Sequence, residues 1–488
     1  MKDNAPEIGT VGLLRFAWRQ LTSMRTALVL LMMLGAAAIP GSIIPQRSQN
    51  PMAVSAIFTD SPTKALWYER FSLFDVYASP WFSAIYILLF ISLIGCVLPR
   101  AFEHYKAARA LPPVTPKNLL RMEFHTEWKG KGDELEVARQ WFKKYRFRVR
   151  EQDGSISAEK GFTRETGNLF FHLALVLILI GVSFGSLFGM RGDAIVNVGE
   201  RFINTPTTYD SLSFGKLFNE KSLPPFSIEI NKFVGKYDPV TNAPQDYTLW
   251  VTVKDSPDSA PVKKIVKVNS PLTFGSTRVY LQANGYSPIV TVRDAAGNVG
   301  FQGPVPFLPQ DANLTSTGAI KVPDLNPQLG FVGSFFPTIG RANEGGGISV
   351  FPEALDPKLF LSAWTGDLGL DNGRPQSVYR INTDAMKKIG LKSLSPGETY
   401  AFAQGSITFE TFVPWVNLQV VRDPGKSYAL LGAIVAILGL LASLFTRRRR
   451  IWVRVTKKNV EVAGLAKNAT PGLEDEITQL ARALGRAE

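Results

Sequence analysis

Residues 169–190 read LFFHLALVLILIGVSFGSLFGM, 22 consecutive residues with no Lys, Arg, Asp or Glu and a single histidine. A hydrocarbon layer about 30 Å thick is crossed by roughly 20 residues of α-helix, and within it a helix satisfies its own backbone polar groups. The stretch therefore predicts a transmembrane helix. Three further runs have the same character: 27–45, 81–98 and 428–445, of 19, 18 and 18 residues. Four such runs exclude a soluble protein. They also exclude an outer-membrane barrel, whose strands alternate and are about half as long.

The charge is distributed unevenly. Lys and Arg exceed Asp and Glu by 2 in residues 1–26, by 5 in 99–168 and by 5 from 446 onward. Segment 46–80 is balanced and 191–427 carries a surplus of only 1. Basic residues close to spans stay on the cytoplasmic side. Both termini and 99–168 are thus expected inside the cell membrane, with 191–427 outside. The net charge of +13 speaks of topology and anionic lipid; no recognition motif accompanies it that would point to nucleic acid. Arg15, Arg19 and Arg25 ahead of Ala36-Ala37-Ala38 have the outline of a signal peptide. Apolar character resumes at Ile43 and Ile44 after Pro40-Gly41, which favours an uncleaved helix.

The fold class expected is four membrane helices with a large extracytoplasmic β-rich domain between helices 3 and 4. Residues 1–26 form a cytoplasmic N-terminus, and 27–98 hold two helices and a short outer loop. In that loop, aromatic residues from Trp67 to Trp81 at spacings of three to six suggest a helix lying at the interface. Segment 99–168 predicts a cytoplasmic helix over 134–145 and a hairpin turning at Asp153-Gly154. Helix 169–190 leads into 191–427, where alternating patches at 226–230, 247–253, 264–268, 278–282, 289–292 and 406–412 predict strands. Turns are expected at Asp238-Pro239, Asn284-Gly285 and Ala296-Gly297-Asn298, in a sandwich-like or meander domain. The Pro- and Gly-rich stretch 303–347 reads as a loop insertion with a flexible point at Gly345-Gly346-Gly347. Helix 428–445 follows, then a basic cytoplasmic tail, 446–488, with an amphipathic helix around 474–484.

An ionisable or metal-binding side chain inside a membrane is a functional candidate by default. The four runs hold one, His172, which at 100° per residue shares a helix face with Val176, Leu179 and Ser183. Gly181, Gly185 and Gly189 form a small-residue seam on the other side. Neutral imidazole is a common ligand of haem iron, and Phe170, Phe171 and Leu175 flank His172 as porphyrin-packing residues would. The alternative is an imidazole near the inner interface that bonds a neighbouring backbone group or water. No other run has a histidine, so a self-contained bis-histidine haem is disfavoured and a second ligand would come from another protein. Arg164, at the inner mouth, is either an anchor or a partner for a haem propionate. His104 and His125, in the basic segment, read as surface or packing residues, and Cys96 as a small buried one. One cysteine permits no disulfide and no CxxC chemistry. There is no GxSxG, HExxH or Walker loop, which argues against a membrane hydrolase or ATPase.

Several short stretches, in order, resemble the ResB (CcsB) proteins of system II cytochrome c biogenesis. They are Thr22-Ser23-Met24-Arg25-Thr26-Ala27, Gly41-Ser42-Ile43-Ile44-Pro45-Gln46, Phe74-Asp75-Val76-Tyr77, Ser79-Pro80-Trp81-Phe82 and Leu98-Pro99-Arg100. The strongest are Lys160-Gly161-Phe162 and Arg164-Glu165-Thr166-Gly167-Asn168, leading into Phe171-His172. Phe202-Ile203-Asn204, Tyr209-Asp210-Ser211, Val268-Asn269-Ser270-Pro271-Leu272 and Gln282 through Tyr286 follow in the β-rich part. The resemblance implies a haem-handling subunit that works with a ResC/CcsA-type membrane protein to attach haem to the CxxCH cysteines of apocytochrome c. It implies that His172 ligates haem b transiently, opposite a partner histidine, and that the outer domain presents apocytochrome c. Thiol reduction would fall to other proteins of the pathway. With no catalytic motif of its own, the chain would be the non-catalytic subunit. The competing readings are a membrane-anchored extracytoplasmic binding module and a scaffold without a haem role.

Overall fold

The computed structural model describes residues 9–485 except 48, 50, 342–346, 371–376, 457–458 and 467–471. The chain divides into two compact units, Met1–Ser183 with Gly425–Glu488, and Phe184–Pro424. Helices Met24–Ile43, Pro80–Arg109, Thr163–Phe188 and Lys426–Phe445 are long and apolar enough to cross a membrane, making this a multi-pass membrane protein. They coincide with the four apolar runs, but their ends differ. The second continues through Pro99 to Arg109, because backbone hydrogen bonding carries on into polar residues at which an apolar count stops.

The first span is capped by Ser23, whose Oγ accepts the Thr26 N–H. A separate helix, Thr10–Leu21, precedes it. Val11, Leu14 and Trp18 are exposed along one of its faces, at i, i+3 and i+7. The loop after the first span is not one interfacial helix but two, Pro51–Asp60 and Pro62–Arg70, followed by a 3₁₀ turn at Val76–Ala78. Ser61 and Pro62 break the run. Phe74, Ala65 and Val54 are buried as a small core of its own. Buried Gln46 donates to the carbonyls of Ile44 and Leu73 at 2.9 and 3.0 Å and accepts the Val76 N–H at 3.0 Å. Arg47 pairs with Glu69 and Asp75.

The expected helix and hairpin are present as Glu134–Lys144, Arg148–Gln152 and Ser155–Lys160. They belong to a larger domain. The tail, read as a basic segment with one helix, contributes two inner strands, Arg449–Val455 and Asn459–Ala466. The sheet is antiparallel, in the order Phe124–Lys129, Asn459–Ala466, Arg449–Val455, Ser155–Lys160, Arg148–Gln152. Helices Glu134–Lys144 and Leu473–Ala483 supply Ala138, Phe142, Ile477 and Leu480 to its core, against Ile156, Ile451, Val453 and Val462. Val453 and Val455 on Arg449–Val455, and Val460 and Val462 on Asn459–Ala466, stand at period two; that alternation is the sequence signal for both.

In the second unit, two strands of 18 residues, Thr277–Asp294 and Gly405–Arg422, pair antiparallel along their whole length. Met190–Asn197 pairs with the second of them, Arg422 opposite Met190. One end of this sheet packs on a four-stranded sheet built from Arg201–Ile203, Ser227–Tyr237, Pro244–Lys254 and Val262–Lys267. The other end packs on five strands: Leu308–Pro309, Ser316–Val322, Leu329–Phe336, Lys358–Thr365 and Lys387–Leu394. Two sandwiches thus share one pair of long strands.

Two expectations are corrected here. Asn284-Gly285 is not a turn; it lies inside the first long strand, where a Cβ on Gly285 would run into the Trp415 indole. Nor is 303–347 a loop insertion, because it holds three strands of the five-stranded sheet, with Phe307, Phe331 and Phe335 fully buried. Gly318 lies against the Phe307 ring and Gly333 against the Phe360 carbonyl. These glycines permit close packing where composition suggested flexibility. Gly345 and Gly346 lie outside the described residues, and Gly347 opens the short strand Gly347–Ser349.

Candidate functional site on the third span

Helix Thr163–Phe188 begins six residues before its apolar run, so His172 lies about 14 Å along the axis from its first residue. The His172 Nδ1 is 2.7 Å from the carbonyl oxygen of Asn168, one turn back. A carbonyl only accepts, so Nδ1 donates. In the neutral ring the lone pair then sits on Nε2, which makes no hydrogen bond among the described residues. One contact therefore joins two sequence readings: the backbone bond that makes an inner-face histidine comfortable also fixes the tautomer in which a ring presents Nε2 to a metal.

The Phe171 ring meets the imidazole edge to face, centroids 5.3 Å apart. Phe170 is exposed and, two residues back, lies about 160° around the helix from His172. Arg164 is about 12 Å further toward the helix start and enters no ion pair among the described residues. The structure thus brings Phe171 to the ring and leaves Phe170 and Arg164 apart from it. Farther along the face of His172, Tyr86 of the second span donates to the Leu179 carbonyl at 2.7 Å and stands 3.1 Å from Ser183 Oγ. Cys96 Sγ bonds the Leu93 carbonyl at 3.3 Å. Among the described residues, no three of His, Cys, Asp and Glu converge as a metal cluster.

The seam on the opposite side differs from that expected. Gly167, Ala174 and Gly181, at intervals of seven, face Gly439 and Gly432 of the fourth span and Gly425 at its N-cap. A Cβ on Gly439 would lie 2.7 Å from the Gly167 oxygen, one on Gly432 3.0 Å from the Ala174 oxygen, and one on Gly181 3.0 Å from the Gly425 oxygen. Gly185 and Gly189 are not in it; the first faces the Asp423 carboxylate and the second the Arg422 carbonyl. A spacing of seven keeps small residues on one stripe where a spacing of four drifts off it.

The start of the span is tied down. Arg448 pairs with Glu159 of the sheet and with Glu165 in the span's first turn, and Arg450 reaches Glu159 at 3.4 Å. His104, on the extension of the second span, stacks on Phe162 with centroids 4.8 Å apart and places Nε2 2.9 Å from Thr166 Oγ1. Apolarity gave no hint of this tie, because the helix carrying His104 outlasts its membrane run. His125 is exposed on the edge strand, its Nδ1 3.2 Å from the Met122 carbonyl.

Residues 24–478 match the ResB-like family. The chain belongs to that family. It is similar to the cytochrome c biogenesis protein CcsB of Synechococcus sp. (strain RCC307), 23% identical over 95% of each chain. It is also similar to CcsB of Prochlorococcus marinus (strain NATL1A), 25% identical over 94% of this chain and 96% of the relative. In this ResB-like chain several family stretches serve the fold. Gln46 and Arg47 join the 41–46 stretch to the 74–77 stretch. Tyr209 donates to Asn204 Oδ1, and Asn204 Nδ2 donates to the Pro224 carbonyl at 2.8 Å. Burial raises the Tyr209 phenol well above its ordinary pKa, so it remains a donor. The 160–172 stretch both ties down the start of the third span, through Phe162, Glu165 and Thr166, and carries the imidazole.

Proposed function

We propose that this chain is the ResB-type subunit of a system II cytochrome c synthase. It handles haem b in the membrane at His172 and presents apocytochrome c, through its β-rich unit, to a ResC/CcsA-type partner. The relatives' names point to cytochrome c biogenesis. The observation that carries the haem reading is the Nδ1–H bond to Asn168, which leaves Nε2 without a hydrogen-bond partner among the described residues and so open to a metal. One imidazole suits haem, whose porphyrin supplies four nitrogens, and the second axial ligand then belongs to the partner. Haem is cargo, and its vinyl groups accept the cysteine thiols of apocytochrome c.

In this reading the plasma membrane holds the four spans, the five-stranded domain is cytoplasmic and the β-rich unit extracytoplasmic. The two segments that each carry a surplus of five positive charges contribute to one folded domain, which supports placing both on the same side, the cytoplasmic one by their charge. His172 lies about 5 Å inside the apolar run from its inner end, which suits capture; thioether formation belongs on the partner's outer surface.

The test is the Soret absorbance of the complex purified with its partner. His172→Ala is expected to lose most of the haem and to regain it with added imidazole. Haem content unchanged by that substitution would leave the chain as a scaffold.

A further inference from the structure

A cavity of about 520 Å³ lies where the third span begins and the fourth ends. Arg146, Arg148, Lys160, Arg447 and Arg449 line it, with Glu159 as the one carboxylate. Glu159 is buried and already engaged by Arg448 and Arg450. Of the five cations, Arg449 pairs with Glu476 at 3.1 Å and Arg148 donates to the Ala110 carbonyl while lying over Phe162. Lys160 lies over the Phe147 ring. Arg146 and Arg447 are exposed and enter no ion pair among the described residues. The cavity therefore has uncompensated positive charge, which an anion would relieve. The third span's helix starts at Thr163, on the cavity wall, adding the positive end of its dipole.

The site exists only in the folded chain. Arg146, Arg148 and Lys160 come from one segment and Arg447 and Arg449 from another some 300 residues later. Gly161, at φ +88°, draws them together: a Cβ there would run into the Arg447 carbonyl. The wall also has an apolar part, Phe162 and Phe445, and Phe445 is the exposed last residue of the fourth span. A free inorganic anion has no use for such a rim. A molecule with a phosphate head and acyl chains fits both parts, at the depth where headgroups lie.

We propose that this cavity binds the headgroup phosphate of an anionic phospholipid from the leaflet at which the third span begins, with Arg146 and Arg447 as its chief ligands. The proposal does not rest on the haem reading. Native mass spectrometry of the full chain, titrated with phosphatidylglycerol and with phosphatidylcholine, tests it. The wild type should retain one phosphatidylglycerol with a preference of roughly tenfold or more. Arg146→Asn/Arg447→Gln should abolish the preference; Asn tolerates the positive φ at 146. Arg15→Gln/Arg19→Gln, the same charge change on the first helix, should keep it. Equal loss in both double variants, or no preference in the wild type, would overturn the proposal. Displacement of the lipid by inorganic phosphate, with equal thermal stabilisation, would assign the cavity to a soluble anion and sink the lipid reading.

Discussion

Glu134, 1% exposed, opens its helix by accepting the backbone N–H groups of Lys131 and, at 2.8 Å, Gly132. Burial pushes its pKa up, but those amides and the Lys131 charge together hold the carboxyl below its ordinary value. A depressed acid stabilises the fold above its unfolded pKa and loses that contribution as pH falls through the folded one. Glu134→Ala is expected to cost about 1–3 kcal/mol at neutral pH, with the difference from wild type shrinking below about pH 4. Hydrogen exchange at the Lys131 and Gly132 amides would read it; equal protection in both proteins at neutral pH would contradict the assignment. His172 itself was legible at this scale, since one imidazole in an apolar run stands out. The direction of its ring was not, because that depends on where the Asn168 carbonyl points.

At the scale of elements, the third and fourth spans touch backbone to backbone through Gly167, Ala174 and Gly181 against Gly439, Gly432 and the N-cap Gly425. Lipid tails are as apolar as leucine, so close packing, and not hydrophobicity, holds such helices together. Gly439→Ala puts a methyl group 2.7 Å from the Gly167 oxygen and 2.8 Å from the Phe171 nitrogen. It should lower the detergent melting temperature by several degrees, for a loss of about 1–3 kcal/mol. Gly35→Ala, in the first span with nothing within 4 Å, should not. Equal melting temperatures would refute the seam. Sequence pattern found the helices by their missing charges but mistook the seam, because several glycine spacings fit one helix and only the partner's position selects among them. The long strand through Gly285 gives the same lesson: an Asn-Gly pair that reads as a turn instead accommodates an indole.

At the scale of the molecule, a sheet closes over a gap of nearly 300 residues. Strand Ser155–Lys160 pairs with Arg449–Val455, and among the described residues Phe124–Lys129 pairs only with Asn459–Ala466. Truncation after residue 446 removes two of five strands and the helix covering Ile451 and Val462. Segment 111–160 should then become sensitive to protease while the β-rich unit, with its own two cores, stays resistant. Resistance of 111–160 in the truncated protein would mean that the hairpin folds without the tail. Sidedness is checked on a Cys96→Ser background. Cysteines at Lys143 and at Val240, which is 88% exposed, should react with an impermeant thiol reagent from opposite faces of the membrane. Labelling of both from one face would contradict the placement of the two domains on opposite sides of the membrane.

Charge-free length alone determined the four spans, and the alternation of basic surplus supplies the expected order of loops across the membrane. Local periodicity located parts of Ser227–Tyr237, Pro244–Lys254, Val262–Lys267 and the two long strands, together with the helix Glu134–Lys144 and its hairpin, but left most of the other strands unread. Only the tertiary structure decided that the tail belongs to the sheet begun at Phe124, that two long strands serve two cores, and that Arg146 and Arg447 face one cavity. These are contacts between residues far apart in the chain. A strand's edge records that it can pair, and an arginine that it carries charge, but neither records with which distant partner; that is set by the packing that brings the segments together.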